Sequence, residues 1–210
     1  MEKKQKINNE LKNNSLNYQA WVLNDRQICD LEMILNGGFA PLEGFLNKPD
    51  YENVLSDMRL KNGSLWPIPI TLDVDKEFLN LVDVGDKVTL KDQEGFSLAV
   101  IEIEDVWEPD FIKESNFVYG TIDESHPGVE YLLNQSNPVY IGGAVKKIKL
   151  PHHYDYTEMR YDPDSLKEKF KDLGWTNIIA FQTRNPLHKA HVKMTLSALD
   201  EIQANLLIHP

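Results

Sequence analysis

The sequence predicts a mixed α/β and β chain, in which a β-rich N-terminal domain is followed by the start of an α/β domain. Three observations carry this. From Trp66 to about Leu150 the chain is made of short apolar runs separated by turn residues. Pro163 to Gly174 reads as an amphipathic helix with its own stop signal. Ile178 to His209 reads as strand, helix, strand, which is the βαβ unit of a parallel sheet. Residues 1–16 are expected to be a disordered tail, 17–160 the β-rich domain and 161–210 the βαβ unit.

Composition bounds the alternatives. The 210 residues are 41% apolar and 26% charged, an ordinary globular balance. No run approaches the ~18 apolar residues of a membrane span, so no membrane partner is expected. The polar start, Met1 to Ser15, lacks the apolar stretch of a secretion signal. A single cysteine, Cys29, excludes an internal disulfide and fits a reducing, cytoplasmic setting. It falls in a helical segment, where a buried small hydrophobe is expected rather than a reactive thiol. The net charge of −11 lies in residues 1–160, with 16 Lys and Arg against 27 Asp and Glu, while 161–210 carries 6 of each. A nucleic-acid partner, which needs a basic face, is not expected.

Taken in order, Asn24 to Leu35 has an N-cap and apolar residues at Ile28, Leu31, Ile34 and Leu35, and Gly37 and Gly38 close the helix. In the loop that follows, Phe39 or Phe45 either lines a cleft or plugs the core, and composition favours the core. Strands are expected at Ile68 to Val74, Lys87 to Leu90 and Phe96 to Val106, with Asp92 to Gly95 as a hairpin loop between the last two. Alternation from Leu98 to Glu104 predicts one buried and one solvated face. Pro138 to Leu150 is expected to add a pair of strands around Gly142 and Gly143. Tyr154 to Asp162 is a polar connection and the expected domain boundary. His152 and His153 read as a solvated connector, and Lys146, Lys147 and Lys149 as an exposed strand face.

The second domain centres on IIAFQTRNPLHKAHVKM, Ile178 to Met194. Ile178 to Phe181 is a continuous apolar run, as in a strand buried on both faces. Asn185 is expected to cap the next helix and Pro186 to be its first residue, with the helix ending near Gln203 and Asn205 to His209 forming the second strand. On a wheel advancing about 100° per residue from Leu187, His188 and His191 share one face. Lys189 and Lys193 lie opposite, and Leu187, Met194, Ala198 and Ile202 form the face expected to pack on the sheet.

Between strand and helix stand Gln182, Thr183, Arg184 and Asn185, four hydrogen-bonding side chains where a helix N-terminus presents unpaired N–H groups to an anion. Gln182 to Lys193 holds three cationic side chains, two histidines and no carboxylate. A helix terminus contributes only ~0.3–1 kcal/mol, or ~2 when partly buried, whereas millimolar binding needs about 4 kcal/mol. Arg184, whose planar fork can grip two oxygens of a tetrahedral anion, and the histidines must supply the rest. Other readings of the same residues stay open: Asn185 as a helix cap only, and His188 and His191 as satisfied histidines or zinc ligands, the last without a convincing third ligand.

QTRNPLHKAH, Gln182 to His191, resembles the signature of the ATP sulfurylase (sulfate adenylyltransferase) family, within the wider HxxH nucleotidyltransferase group. NGGFAPLEGFL (Asn36 to Leu46) and LWPIPITLDV (Leu65 to Val74) resemble the same family in the expected order. The resemblance implies a PUA-like β-barrel for 17–160, and for 161–210 the first βαβ unit of a Rossmann-like catalytic domain. It implies that sulfate attacks the α-phosphorus of ATP to give adenosine 5′-phosphosulfate and pyrophosphate, with Mg2+ carried by the nucleotide and a homo-oligomer in the full-length form. By position, Gln182 and Arg184 resemble the sulfate-holding pair. Thr183, Arg184 and Asn185 resemble the catalytic loop at the α-phosphate, and His188 and His191 the pair that stabilises the pyrophosphate portion. All six also resemble the nucleotide-binding set. The family's later Gly-Arg-Asp loop is not found here, so an incomplete catalytic domain, weakly active or inactive alone, is expected. The competing expectations are a nucleotide-binding or regulatory module without turnover and, against the acidity of residues 1–160, an RNA-binding PUA-like module.

Overall fold

The structure is a computed structural model that describes residues 2–210, with side chains from Asn9 onward. The chain forms two compact units, Met1–Asp155 and Tyr156–Pro210. The division falls inside the Tyr154–Asp162 connection, slightly before residue 160.

The first unit runs α1 (Glu2–Ser15), β1 (Gln19–Val22), α2 (Asp25–Leu35), β2 (Gly44–Phe45), α3 (Lys48–Asp57), β3 (Leu72–Val74) and α4 (Lys76–Leu79). It continues through β4 (Lys87–Lys91), β5 (Ser97–Glu102), β6 (Asp105–Trp107), α5 (Phe111–Tyr119), α6 (Pro127–Asn134) and β7 (Val139–Lys147). The strands form one mixed sheet in the order β1-β4-β5-β7-β2, with β3 and β6 also on β7. Strands β1 and β4 are parallel and the other pairs antiparallel. The inner face packs Leu31, Leu72, Val88, Leu98, Ile101 and Ile141 into one core.

Several expectations are corrected here. The N-terminal tail is a helix, α1, apart from residues outside the described ones. Its polar sequence is rich in helix formers, and its end is tied down where Thr89 Oγ1 donates to the buried Ser15 carbonyl at 2.7 Å. Pro138 to Leu150 is not a pair of strands but the single strand β7, which serves β2, β3, β5 and β6 at once. Phe96 to Val106 divides into β5 and β6, which pair with successive parts of β7, and between them the Glu104 amide donates to the Gly142 carbonyl of β7 at 2.9 Å. Ile68 to Val74 becomes strand only from Leu72, since Pro67 and Pro69 lack the donors a ladder needs. Helices α3 to α6 were not expected, although Asn47, Asp75 and Asp110 cap three of them with side-chain acceptors.

Cys29 is exposed on α2, not buried. It is not an activated thiol either: partial burial and the carboxylates of Asp30, Glu32 and Asp25 push its pKa up, away from the thiolate. Phe45 is buried in the core and Phe39 lies edge-on to Trp66 at 5.5 Å, so both aromatics of the early loop pack internally.

A second cluster joins α3, α5 and β7 around Tyr51, Trp107 and Tyr140. Both phenol hydroxyls donate to Glu114 Oε2, from Tyr51 at 2.8 Å and Tyr140 at 3.2 Å. Burial pushes the Glu114 carboxyl up from 4.5 to about 6, against the pull of those two hydroxyls. The folded chain therefore holds this proton more tightly than the unfolded chain. Its contribution to stability is greatest below 4.5 and is lost as the pH rises through about 6, by about 2 kcal/mol at neutrality. Urea-unfolding midpoints of the wild type should fall across that window and those of Glu114→Gln should not; parallel pH profiles for the two proteins would refute the assignment.

The second unit holds α7 (Pro163–Asp172), β8 (Ile178–Gln182), α8 (Lys189–Ile202) and β9 (Asn205–His209). Asp162 caps α7, Gly174 at φ 68° ends it, and Trp175 stacks on Phe170 at 5.9 Å. Strands β8 and β9 pair in parallel from Ile178 opposite Asn205 to Gln182 opposite His209.

Candidate functional site

The Thr183 amide donates to the His209 carbonyl at 2.9 Å, so strand pairing runs one residue past β8 before the chain turns. The turn is closed by Thr183 itself. Its hydroxyl donates to the Asn185 carbonyl at 2.8 Å and accepts from the Asn185 amide at 3.1 Å. This corrects the expected helix start. With its backbone held in the turn, Asn185 does not cap α8 and Pro186 is not its first residue; the helix opens at Lys189 with His188 as N-cap.

The two histidines build that cap together. The Ala190 amide donates to His188 Nδ1 at 3.3 Å, and the His188 amide donates to His191 Nδ1 at 3.4 Å. A neutral imidazole that accepts at Nδ1 carries its hydrogen on Nε2. Each ring thus keeps an Nε2–H donor after its structural bond is made. The ring centroids lie 6.2 Å apart, and His191 also lies 5.6 Å from Phe181 of β8.

The packing face of α8 is rotated from the expected one. Thr195 is its buried residue, with Ala198 and Leu199 half-buried, whereas Leu187, Met194 and Ile202 are exposed. Thr195, Ala198 and Leu199 centre the packing face on the histidine side of α8, and the two-stranded sheet of β8 and β9 covers no more of the helix than that. Thr195, whose hydroxyl donates to the carbonyls of His191 and Val192, thereby supports the first turn from below. The helical wheel already sets Thr195 between His188 and His191, and Phe181 ends the apolar run of β8, but neither is among the predicted site residues.

Gln182, Arg184, Asn185, His188 and His191 are exposed and Thr183 is half-buried. Arg184 has no hydrogen-bond or ion-pair partner among the described residues, so its guanidinium fork is uncommitted. The six predicted residues lie just beyond the C-terminal end of β8 and at the N-terminus of α8, the end of a parallel strand at which open α/β sheets bind ligands. The arrangement can hold an oxyanion between a guanidinium, two Nε2–H groups and a helix N-terminus. Among the described residues no three His, Cys, Asp or Glu side chains gather where they could hold a metal ion. A concavity of about 370 Å³ on α8, lined by Leu187, Val192, Leu196 and Asp200 with the two lysines, lacks both histidines.

Elsewhere, His153 Nε2 lies 2.7 Å from Glu32 Oε1 and is half-buried, which anchors it more than a solvated connector requires; His152 is exposed against the Tyr154 ring. Lys146 and Lys147 are exposed, and Lys149 Nζ sits 3.8 Å over the Phe96 ring.

Comparisons with known proteins bear on both units. The PUA-like domain family profile matches residues 2–150 and the ATP-sulfurylase profile residues 157–210. A sulfate adenylyltransferase of Phaeosphaeria nodorum is 50% identical over 194 residues, covering 91% of this chain and 34% of that protein. One of Saccharomyces cerevisiae is 44% identical over 191 residues, covering 91% of this chain and 37% of that protein. A solved structure described as a hexameric APS kinase from Thiobacillus denitrificans superposes with a TM-score of 0.79 at 31% identity, over 98% of this chain and 36% of that one. The chain thus spans about a third of the length of these relatives.

Proposed function

The chain belongs to the sulfate adenylyltransferase (ATP-sulfurylase) family, and from that premise we propose that it carries the anion-handling part of an enzyme that makes adenosine 5′-phosphosulfate and pyrophosphate from ATP and sulfate, the activating step of sulfate assimilation. The observation that carries this reading is the turn from β8 to α8, where uncommitted Arg184 faces open solvent beside two histidines whose Nε2–H groups are free to donate.

A sulfate oxygen attacks the α-phosphorus in line, the bond to the bridging oxygen of the β-phosphate breaks, and pyrophosphate leaves. Sulfate has no proton to lose at neutral pH. No general base is needed, which agrees with a segment from Gln182 to Lys193 free of carboxylates; catalysis is positioning and charge stabilisation. In this reading Gln182 and Arg184 hold sulfate, Thr183, Arg184 and Asn185 face the α-phosphate, and His188 and His191 donate to the pyrophosphate oxygens. Mg2+ arrives on the triphosphate, as the lack of acidic ligands in this segment favours. A cytoplasmic location and a homo-oligomer belong to the same proposal; one structural neighbour is itself described as hexameric. A second reading, nucleotide binding without turnover, is favoured by the exposure of five of the six site residues, because donors open to water stabilise a transition state poorly.

The decisive experiment replaces the matching segment of the Saccharomyces cerevisiae relative with this chain and measures sulfate-dependent pyrophosphate release from ATP. A folded chimera that releases none, yet binds adenosine 5′-phosphosulfate, would establish the second reading instead. His188 needs a separate test, since it also caps α8. His188→Ala should lose about 1 kcal/mol with the cap as well as turnover, and His188→Asn should keep the cap and still lose turnover. Turnover within a few-fold of wild type in His188→Asn would reduce His188 to a cap.

A further inference from the structure

The first unit contains a cavity of about 150 Å³ whose wall includes Arg26, Asp30, Glu114, Tyr119, Tyr131 and Tyr140, with Ile68 and Leu132 among its apolar lining. At ~30 Å³ per water it has room for about five waters or a ligand of a few heavy atoms. Glu114 is 95% buried there, being 5% exposed. Both of its tyrosine partners use Oε2; Oε1 accepts no hydrogen bond among the described residues.

The charge of the wall decides what could pair with that oxygen. Arg26 is already committed: it donates to Asp30 at 2.8 Å, to Asp73, to the Thr71 carbonyl at 3.2 Å and to the Tyr131 hydroxyl at 3.3 Å. Asp73 is fully buried and also takes the Gln27 amide and the Asn137 side chain. On the wall itself one guanidinium stands against two carboxylates, those of Asp30 and Glu114, and buried Asp73 already holds Arg26 from behind, so the ionised lining is net negative and an anion would be repelled. A metal ion does not fit either, because no three acidic or imidazole groups converge among the described residues. Tyrosine rings on the wall favour a cation.

We propose that this cavity is a binding site for a small organic cation, an alkylammonium group that donates to Glu114 Oε1 and seats a short apolar stem against Ile68 and Leu132. The site is built from residues of the first unit alone and does not depend on the sulfate reading. The probe is propylammonium chloride, titrated into the isotope-labelled chain at about pH 7.5, above the value of about 6 to which burial raises the Glu114 carboxyl, with 1-propanol as the uncharged match and sodium chloride as the salt match. Saturable amide shifts at Ile70, Thr71, Tyr119 and Leu132 are expected with propylammonium alone. In Glu114→Gln the affinity should fall at least about tenfold, and Ile68→Trp, a change at a half-exposed rim position that leaves the carboxylate in place, should block entry. Absence of saturation, equal shifts from 1-propanol, or unchanged affinity in a natively folded Glu114→Gln would each overturn the proposal. Should Glu114→Gln fail to fold, unchanged affinity in Ile68→Trp overturns it equally.

Discussion

In the chimera, Arg184→Ala is expected to lower sulfate-dependent pyrophosphate release by about 10²–10³-fold, the usual loss when one preorganised charge-stabilising donor is removed. The guanidinium has no partner within the described chain, so its charge is fully available to an incoming oxyanion. With it gone, the terminus of α8 supplies only ~0.3–1 kcal/mol toward holding the anion. Arg184→Lys should lose activity too, though less, because a lysine keeps the charge and not the two-pronged geometry. Neither change should move the thermal midpoint noticeably, since an exposed, unpaired side chain contributes within about 0.5 kcal/mol to stability. Turnover of Arg184→Ala within a few-fold of wild type would remove Arg184 from the proposed chemistry.

Gly143→Ala is expected to disrupt the first unit. A Cβ built there lies 2.0 Å from the Glu102 carbonyl oxygen, and the residue has φ +156°. The obstacle is backbone, not a side chain that can swing away. The neighbouring Gly142 is as tightly placed on another side, 2.3 Å from the Leu46 carbonyl oxygen, so β7 has little room to shift. Strand β7 pairs with four others, and a displacement at its centre would break several ladders together. A loss of more than about 4 kcal/mol is expected, at ~2–4 °C per kcal/mol a fall of about 10 °C or more in thermal midpoint. Gly95→Ala is the control: its φ is +88° but its Cβ would meet nothing within 4 Å, so only the left-handed backbone penalty of ~1–2 kcal/mol applies. A Gly143→Ala protein no less stable than Gly95→Ala would refute this account of the crossing.

Much of the second unit was legible because local signals and the fold agree there. Pro163 and Gly174 bracket α7, the run from Ile178 forms β8, and Asn205 to His209 forms β9. The start of α8 was misplaced by the same kind of local signal. Asn185 followed by Pro186 has the composition of a helix start, but the Thr183 hydroxyl binds the Asn185 backbone first. In the first unit, Pro127 and the capping residues Asn47, Asp75 and Asp110 announced helices in plain local chemistry and were outweighed by the strand-like texture around them.

Residue order alone is enough to place a polar, carboxylate-free turn between an apolar strand and a helix that begins with two histidines, because strand and helix periods and turn chemistry are short-range properties. It also determined that residues 1–160 carry the acidity. Contacts from across the fold were needed to show that the histidines cap their own helix through Nδ1, that Gly142 and Gly143 mark a crossing inside one strand, and that Glu114 lines a cavity with both tyrosine hydroxyls on the same oxygen. Each of these depends on backbone or side chains brought together from distant parts of the chain or on the phase set by a turn, and residue periodicity carries neither.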